Sequence, residues 1–147
     1  MEKISSFKGK YTFLSNFYPC TVMYEGMTYP SAEHAFQAAK TLDIEVRKGF
    51  QVCPTPAEAK WCGRRVKLRP DWEEIKIDVM ATIVRDKFTR NIAHVNLREL
   101  LINTGDAYIE NGNNYRDKFW GTVAGEGRNE LGKILMAIRS ALSEETI

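Results

Sequence analysis

The spacing of apolar residues along the chain predicts mostly helices. Between Asp71 and Thr89, apolar side chains recur every three or four positions, which is the spacing of one helix face. A last helix that starts near Asn129 would bury side chains with the same spacing: Leu131, Ile134, Leu135, Ile138 and Leu142. These two long amphipathic segments can form the core of a helical fold.

Helix-capping residues indicate where shorter helices begin. Ser31 follows Pro30 and is the expected N-cap of a helix that runs to about Leu42. Side chains that can accept a hydrogen bond from the first turn of a helix also occur at Thr55, Asp71 and Asn96. The sequence therefore predicts several helices separated by short connections.

Strand signals are few. Between Val22 and Tyr29, tyrosine and β-branched residues flank Glu25-Gly26, which predicts a small hairpin. Residues 107–128 are rich in Gly and Asn and poor in helix signals. We predict a mainly α fold, a single domain over residues 1–147, with one or two short β pieces near the N-terminus and in the 107–121 region.

The overall charge does not predict a nucleic-acid-binding protein. Lysine and arginine number 21 against 19 acidic residues, a formal net charge of +2, whereas long-range attraction to phosphates requires a clustered excess of positive charge. One local basic cluster remains: Lys60, Arg64, Arg65, Lys67 and Arg69. A nucleic-acid-binding module based on this cluster is therefore a minor alternative.

Cysteine and histidine are too few and too scattered to predict a metal site. The three cysteines, Cys20, Cys53 and Cys62, show no C-x-x-C spacing, and the two histidines are His34 and His94. The N-terminus lacks the apolar core of a signal peptide, and no apolar run approaches the length of a membrane span. We expect a cytoplasmic protein with free thiols, no cofactor, no membrane contact and no obligate protein partner.

The segment P-S-A-E-H-A-F-Q-A-A-K, residues 30–40, carries the first candidate for chemistry. Glu33 and Lys40 are seven positions apart, so both lie on one helix stripe, about 10 Å apart along the axis. The helix macrodipole favours an ionised Glu33 in the first turn, and Lys40 leans back toward it. From spacing alone, a solvated charged face is the more common case and a reactive pair the rarer one.

Residues 116–121, R-D-K-F-W-G, form the second candidate. Trp120 can stack on a flat base, and Asp117 can orient a sugar hydroxyl or a water, as functional loops on a rigid scaffold commonly do. In the alternative interpretation, Phe119 and Trp120 fill the core beneath a loop. The residues alone do not decide between these interpretations.

Two asparagines are weaker candidates. The glycine-rich residues 125–132 precede a helix and can expose N–H groups to a phosphate, but an N-cap role for Asn129 explains the pattern more simply. Asn16 lies among apolar residues in L-S-N-F, and a polar group in such surroundings usually needs a backbone or ligand partner.

Several short stretches occur together in a fixed order: L-S-N-F-Y-P (14–19), Y-P-S-A-E-H-A-F-Q-A-A-K (29–40), G-R-R-V-K-L-R-P-D-W (63–72), K-F-T-R-N (87–91), D-K-F-W-G (117–121) and G-R-N-E-L-G-K-I-L-M-A-I-R (127–139). With these stretches the chain resembles the NADAR family, also called YbiA-like, over nearly its whole length. The resemblance implies a mainly helical fold and cleavage of N-glycosidic bonds in ribosylated substrates, without a metal or redox cofactor.

The resemblance also implies roles for individual positions. It implies catalysis by Glu33, Lys40 and Asp117. Substrate binding is expected at five further positions: Asn16, Arg64, Trp120, Gly121 and Asn129. The loop before the tryptophan, E-N-G-N-N-Y-R-D (110–117), departs from the family pattern by its additional Gly and Asn residues, which bears on substrate preference.

The resemblance leaves several functions open. The first is an N-glycosidase that removes ADP-ribose from guanine bases, in ADP-ribosylated nucleic acid or in a nucleotide. The second is the same reaction on early ribosylaminopyrimidine phosphates of riboflavin synthesis, and the third is a non-catalytic module that binds ADP-ribose or NAD. An enzyme can use Glu33 to stabilise the cationic sugar or activate water, or Lys40 to form a Schiff base at C1′. A Schiff base requires desolvation to lower the lysine pKa, which a neighbouring carboxylate opposes.

Overall fold

The computed structural model describes residues 2–90 and 95–145. Its helices are α1 (Ala32–Ala38), α2 (Ile44–Gln51), α3 (Pro56–Gly63), α4 (Trp72–Thr89), α5 (Leu97–Ile102) and α6 (Glu130–Glu145). Its strands are β1 (Lys3–Ile4), β2 (Val22–Tyr24), β3 (Met27–Tyr29) and β4 (Tyr108–Ile109), and a 3-10 helix covers Gly9–Leu14. The predicted mainly α fold with short β pieces is confirmed.

The chain contacts define two compact units. One consists of residues 16–92, and the other of residues 1–15 and 93–147. The prediction of a single domain over the whole chain stays a prediction. Within the described residues, no helix is long and apolar enough to cross a membrane. Asn91 of the K-F-T-R-N stretch and His94 lie outside the described residues.

Helix α1 is the central element of the unit of residues 16–92. It packs against α2, α3, α4 and the β2–β3 hairpin, and every one of its residues is buried. Glu33 itself is only 8% exposed. The solvated charged face that residue spacing favours is therefore wrong, because packing surrounds this helix on its polar as well as its apolar side.

Helix α1 ends at Ala38, four residues before the predicted end at Leu42. The Lys40 carbonyl accepts the backbone N–H of Arg69 at 2.8 Å. Asp43 is already the N-cap of α2 and accepts two N–H groups from that helix. These bonds turn the chain away from α1, so Lys40 lies in the turn after the helix and not within it.

Helix α2 has no counterpart in the sequence prediction. Its apolar residues Ile44 and Val46 are exposed, whereas Arg47 is buried. The Arg47 guanidinium donates to the Thr41 carbonyl and pairs with Glu25, both at 2.8 Å. The usual apolar face is therefore partly replaced by a buried, hydrogen-bonded cation, which a hydrophobic pattern cannot indicate.

Most of the predicted caps are confirmed. Backbone N–H groups in the first turn of each helix donate to the side chains of Ser31, Thr55 and Asn96. Asp71 precedes α4 as predicted but makes no capping hydrogen bond. Its carboxylate instead forms an ion pair with Arg69, with Oδ1 at 2.7 Å from Nε.

The unit of residues 1–15 and 93–147 is built around α6 and a two-stranded parallel sheet. Strand β1 pairs with β4, with Lys3 opposite Tyr108, and α6 packs on α5 and β4. All apolar residues predicted for the buried face of the last helix are buried: Leu131, Ile134, Leu135, Ile138 and Leu142. This part of the core follows the helical pattern directly.

The predicted capping role of the Asn129 side chain is wrong. Asn129 has a left-handed backbone with φ of 53°, and its side-chain amide lies against Gly132 of α6 while it forms hydrogen bonds with the chain around the end of β4. Its Oδ1 accepts the Asn111 N–H at 2.9 Å, and its Nδ2 donates to the Ile109 carbonyl at 2.9 Å. The side chain thus joins the start of α6 to the end of β4.

Candidate active site

Glu33 is a buried carboxylate in the first turn of α1. Its backbone N–H donates to the Asn16 carbonyl at 3.0 Å, and the Gln37 amide donates to its Oε2 at 2.5 Å. A hydrogen bond to a carboxylate oxygen and the positive end of the helix dipole both favour the anion. The Gln37 amide thus orients the Glu33 carboxylate, and the bond to the Asn16 carbonyl joins the start of α1 to the segment before β2.

Gln37 reaches Glu33 because the neighbouring residue on α3 is Gly63. A Cβ at position 63 would overlap the Gln37 side-chain amide. The absence of that Cβ lets α3 approach α1 closely and leaves room for the amide to point at Glu33. Gly63 therefore determines the position of Gln37, and through it the orientation of Glu33.

Lys40 lies one turn beyond Gln37, with its side chain directed back along α1. Its Nζ is 5.9 Å from the centre of the Phe36 ring, and this ring packs against Trp72 at 5.1 Å. The aromatic wall and the surrounding chain leave Lys40 only partly accessible to solvent. The amine is therefore partly desolvated at a position close to Glu33.

The pKa of the Lys40 amine is lowered from that of an ordinary lysine. Burial is the largest cause, and the positive charges of Arg64, Lys60 and Lys76 act in the same direction. The Glu33 carboxylate raises the pKa, but it does not reverse the net direction. The predicted conflict between desolvation and the carboxylate is present, and desolvation is the larger effect.

Two buried side-chain oxygens near Glu33 have no hydrogen-bond partner among the described residues. One is Oδ1 of Asn16, whose Nδ2 lies 3.4 Å from the Met80 sulfur, and the other is Oε1 of Gln37. Buried polar atoms are nearly always paired with protein, water or ligand. Both oxygens therefore have unused acceptor capacity, and that of Gln37 faces Gly63 of α3.

Arg64 supplies positive charge beside Lys40. It is the C-cap of α3 and is exposed, and its positive charge contributes to lowering the Lys40 pKa. The predicted residues Asn16, Glu33, Lys40 and Arg64 thus all belong to the unit of residues 16–92.

The other predicted residues belong to the second unit. Asp117 is half-buried, and its Oδ1 accepts the backbone N–H groups of Phe119 at 3.1 Å and Trp120 at 2.9 Å. The half-buried Trp120 indole meets the Phe119 ring edge-on at 4.8 Å. Asp117 thus shapes the turn that presents Trp120, and the catalytic role of Asp117 stays a prediction.

Gly121 and Asn129 support this turn from below. A Cβ at Gly121 would overlap the Asn111 carbonyl, and the Gly121 carbonyl accepts the Asn129 N–H at 3.2 Å. Asn129 is 1% exposed. Both residues have clear structural tasks, and their contact with substrate stays a prediction.

Comparisons with known proteins decide the family. The NADAR domain profile matches residues 5–143. The chain belongs to the NADAR family. The N-glycosidase YbiA of Escherichia coli is 39% identical over 139 residues, which cover 92% of this chain and 84% of that protein.

A solved structure and a longer relative extend the NADAR comparison. The NMR structure of the E. coli protein YbiA matches with a TM-score of 0.83 at 35% identity, covering 99% of this chain and 89% of that one. A riboflavin biosynthesis protein of Vibrio vulnificus is 39% identical over 135 residues, which cover 90% of this chain but only 36% of that protein. The prediction of an enzyme that hydrolyses N-glycosyl bonds is confirmed by the NADAR relatives.

The sequence assigned no role to Lys87, a buried lysine on α4 of this NADAR chain. It is 1% exposed, and burial lowers its pKa to about 8. Its Nζ lies 5.6 Å from the centre of the Tyr18 ring and 5.1 Å from that of Phe88. Helical spacing puts Lys87 on the buried face of α4. Because lysine is counted as polar, the hydrophobic pattern did not predict that Lys87 is buried.

Metal binding has no evident donor set in the described residues. Across residues 2–90 and 95–145, no group of three or more His, Cys, Asp or Glu side chains is arranged to hold a metal ion. The ionisable groups at this candidate site are the carboxylate, amine and guanidinium groups described above.

Proposed function

We propose that this NADAR protein hydrolyses the N-glycosidic bond between a base and a ribose, with ADP-ribose on guanine as its preferred substrate. The observation that carries the proposal is the partly desolvated Lys40 amine beside the buried Glu33 carboxylate. Lowering the pKa of a lysine increases the fraction of its amine that is neutral and nucleophilic, and a fixed carboxylate is suited to moving protons. A module that only binds ADP-ribose needs neither property.

The reaction begins with attack of the neutral Lys40 amine on C1′ of the ribose. As the Nζ–C1′ bond forms, the C1′–N bond to the base breaks. Glu33 takes the proton that the amine loses and passes it to the departing base. The positive charge that develops on the sugar is stabilised by the same carboxylate.

The covalent intermediate then returns to free enzyme. The ribosyl-lysine opens at the ring oxygen, which becomes the 4′-hydroxyl, and leaves a Schiff base between Nζ and C1′. Water adds to C1′, and the Nζ–C1′ bond breaks to release the sugar and restore Lys40. The overall reaction consumes one water and needs no redox step.

The unpaired oxygens and the cations fit an anionic ribosyl substrate. In this proposal Oδ1 of Asn16, which has no partner among the described residues, accepts a hydrogen bond from a ribose hydroxyl. Arg64 supplies positive charge for a phosphate. In this proposal Asp117 orients a sugar hydroxyl or a water, and Trp120 stacks on the base.

A second substrate class has its own support. The Vibrio relative is named as a riboflavin biosynthesis protein, which favours ribosylaminopyrimidine phosphates as the alternative. Both substrate classes are anionic ribosyl compounds, so the charges near Lys40 suit either one. Release of the free base from matched samples of the two substrates, followed by chromatography, separates the alternatives.

Chemical trapping tests the covalent step. Sodium cyanoborohydride added during turnover reduces a Schiff base to a stable amine and should leave a ribosyl adduct on Lys40. Trypsin does not cleave after a modified lysine, so the adduct should appear on a peptide spanning residues 11–47 rather than 11–40. Lys40→Arg should give neither adduct nor turnover, because it keeps the charge and loses the nucleophile.

Lys60→Arg is the matched control, since Lys60 also lies near the site but has no covalent task in the proposal. It should keep both adduct and turnover. Turnover without any adduct would replace Lys40 attack by direct attack of water. If no free base were released from either substrate class, that is, ADP-ribosylated guanine or ribosylaminopyrimidine phosphates, the proposed function itself would be contradicted.

A further inference from the structure

A concave cavity of about 430 Å³ lies between α2 and the segment that follows α3. Its apolar wall includes Val46, Phe50, Cys62 and Val66. Cys53 completes the wall, and burial raises the pKa of its thiol, which therefore stays neutral at pH 7. Neither Glu33 nor Lys40 lines this cavity, so it is separate from the chemistry proposed above.

The cavity carries positive charge only. Its charged lining residues are Arg65 and Lys67, both exposed. Neither forms an ion pair within residues 2–90 and 95–145. Glu58 is the acidic group whose charge acts on the Cys53 thiol, and it does not line the cavity.

The Arg65 guanidinium is held in place. It lies 3.4 Å from the centre of the exposed Trp61 ring and donates to the Trp61 carbonyl at 3.2 Å. This stacking keeps a cation at the edge of the cavity without using a carboxylate. The remaining guanidinium N–H groups are available to an anion.

Volume and composition together define the ligand. Small-molecule sites are typically apolar clefts of about 300–1,000 Å³ with a few polar groups that fix orientation. An apolar wall with cations and no carboxylate favours a molecule with an apolar body and an anionic head. We propose that this cavity binds an amphipathic organic anion, with its apolar body against Phe50 and Val66 and its anionic group between Arg65 and Lys67.

Two fluorescent probes separate the apolar and the charged parts of this proposal. The anion 1-anilinonaphthalene-8-sulfonate should bind saturably, one molecule per chain. N-phenyl-1-naphthylamine has almost the same aromatic body without the sulfonate and should bind more weakly. Near-ultraviolet circular dichroism of the same samples checks that the chain is folded, since the anionic probe also binds partly unfolded proteins.

Variants locate the binding. Arg65→Gln and Lys67→Gln should each raise the Kd of the sulfonate probe about 5- to 30-fold and leave that of the neutral probe within about twofold, because only the anion loses a charge-assisted hydrogen bond. Val66→Asp should abolish binding of the anionic probe by placing a carboxylate in the wall. Lys48→Gln removes an exposed cation of α2 that does not line the cavity and should change neither Kd.

Three results would overturn the proposal. The first is the absence of saturable binding to the folded wild-type chain. The second is an equal loss of both probes, or no loss of either, in the Arg65 and Lys67 variants. The third is displacement of the sulfonate probe by a single-stranded oligonucleotide but not by decanoate, which would assign the surface to nucleic acid. Displacement by decanoate but not by decanol supports the proposed ligand class.

Discussion

The surroundings of Glu33 and those of Asp117 differ in how completely their polar groups are paired. Around Glu33, Oδ1 of Asn16 and Oε1 of Gln37 are buried without a partner. Around Asp117, the Asn113 side chain donates to the Asp117 and Thr122 carbonyls at 2.9 and 3.1 Å and accepts two backbone N–H groups. Unpaired buried groups cost stability, so the surroundings of Glu33 carry a cost that the loop around Asp117 avoids.

The difference separates two kinds of functional residue. The α1 region holds ionisable groups in a partly desolvated environment, which changes their chemistry. The loop of residues 110–129 uses its Asp and Asn side chains to fix the backbone, which gives Trp120 a defined position. We therefore expect substitutions near Glu33 to affect mainly the rate and substitutions in the loop to affect mainly stability.

Removing the Glu33 charge should give the largest effect. Glu33→Gln keeps the shape and can still accept from Gln37, but it cannot stabilise a cationic sugar or carry a proton. We expect turnover to fall about 10²- to 10⁴-fold, measured as release of free base, with little change in thermal midpoint. Glu58→Gln removes an exposed carboxylate from the first turn of α3 and should leave turnover unchanged. Wild-type turnover by Glu33→Gln would remove this residue from the mechanism.

Two glycine substitutions should affect different properties: Gly63→Ala the rate, and Gly121→Ala the stability. Gly63→Ala would displace the Gln37 amide from Glu33, and the loss of a hydrogen bond to a charged group predicts a rate reduction of about 10- to 100-fold. Gly121→Ala meets the Asn111 backbone carbonyl, which cannot rotate away, so overpacking should lower the free energy of unfolding by about 1–3 kcal/mol. Turnover and urea denaturation of both variants test this comparison. A pure stability loss in Gly63→Ala would contradict it.

Asn113 tests the scaffold role of the loop. Asn113→Ala removes both the donors and the acceptor described above and leaves partly buried backbone groups unpaired. The free energy of unfolding should fall by about 1–3 kcal/mol, measured by denaturant titration. The neighbouring Asn114 is exposed, and Asn114→Ala should change the free energy by less than about 0.5 kcal/mol. Equal effects of the two substitutions would show that the loop is not held by Asn113.

The pH dependence of the rate should report the charges around Lys40. The neutral amine attacks, so the rate rises with pH through the Lys40 pKa, which lies below that of an ordinary lysine. Arg64→Gln removes a positive charge, raises this pKa and should move the rising limb to higher pH. Glu33→Gln removes a negative charge and therefore lowers the Lys40 pKa. The residual activity of this variant should rise with pH at lower pH values than wild-type activity does. Rising limbs at the same pH in wild type and Arg64→Gln would mean that the limb belongs to another group.

The smallest expected effect concerns His34. Its Nε2–H donates to the Cys53 carbonyl at 2.9 Å, so Nδ1 accepts from the Ser31 hydroxyl at 2.7 Å. Burial lowers the pKa of this histidine below its unfolded value near 6.5. The unfolded chain therefore binds more protons, and stability should fall as pH drops below about 6.5. Denaturant titrations from pH 7.5 to 5 should show a shallower decline for His34→Gln, and identical slopes would contradict this assignment.

Local signals predicted the parts of the structure that depend on neighbouring residues. The caps Ser31 and Thr55 satisfy N–H groups three residues away, and α6 buries one helical face, so both are encoded within a short window. Helix α2 was missed because Arg47 is buried by contacts with distant residues such as Glu25. Propensity and periodicity contain no information about such tertiary contacts.

The candidate site was predictable in its residue types but not in its environment. Residue spacing placed Glu33 and Lys40 on one stripe, and the family resemblance gave them a role. Burial of Glu33 depends on the packing of α1 against three helices. The lowered Lys40 pKa depends first on burial and then on the charges of Arg64, Lys60 and Lys76. The position of the Gln37 amide depends on the absence of a Cβ at Gly63, which is far from Gln37 in sequence.

The pairing of β1 with β4 has a consequence for synthesis on the ribosome. Residues 3–4 pair with residues 108–109, so the first strand stays without its partner until about a hundred further residues have been translated. At about 5–20 residues per second, this interval is on the order of 5–20 s. During that time the contiguous unit of residues 16–92 can already complete its own contacts. The region that contains Glu33 and Lys40 can therefore fold first, while the unit of α6 forms only after residues 130–145 have also been translated.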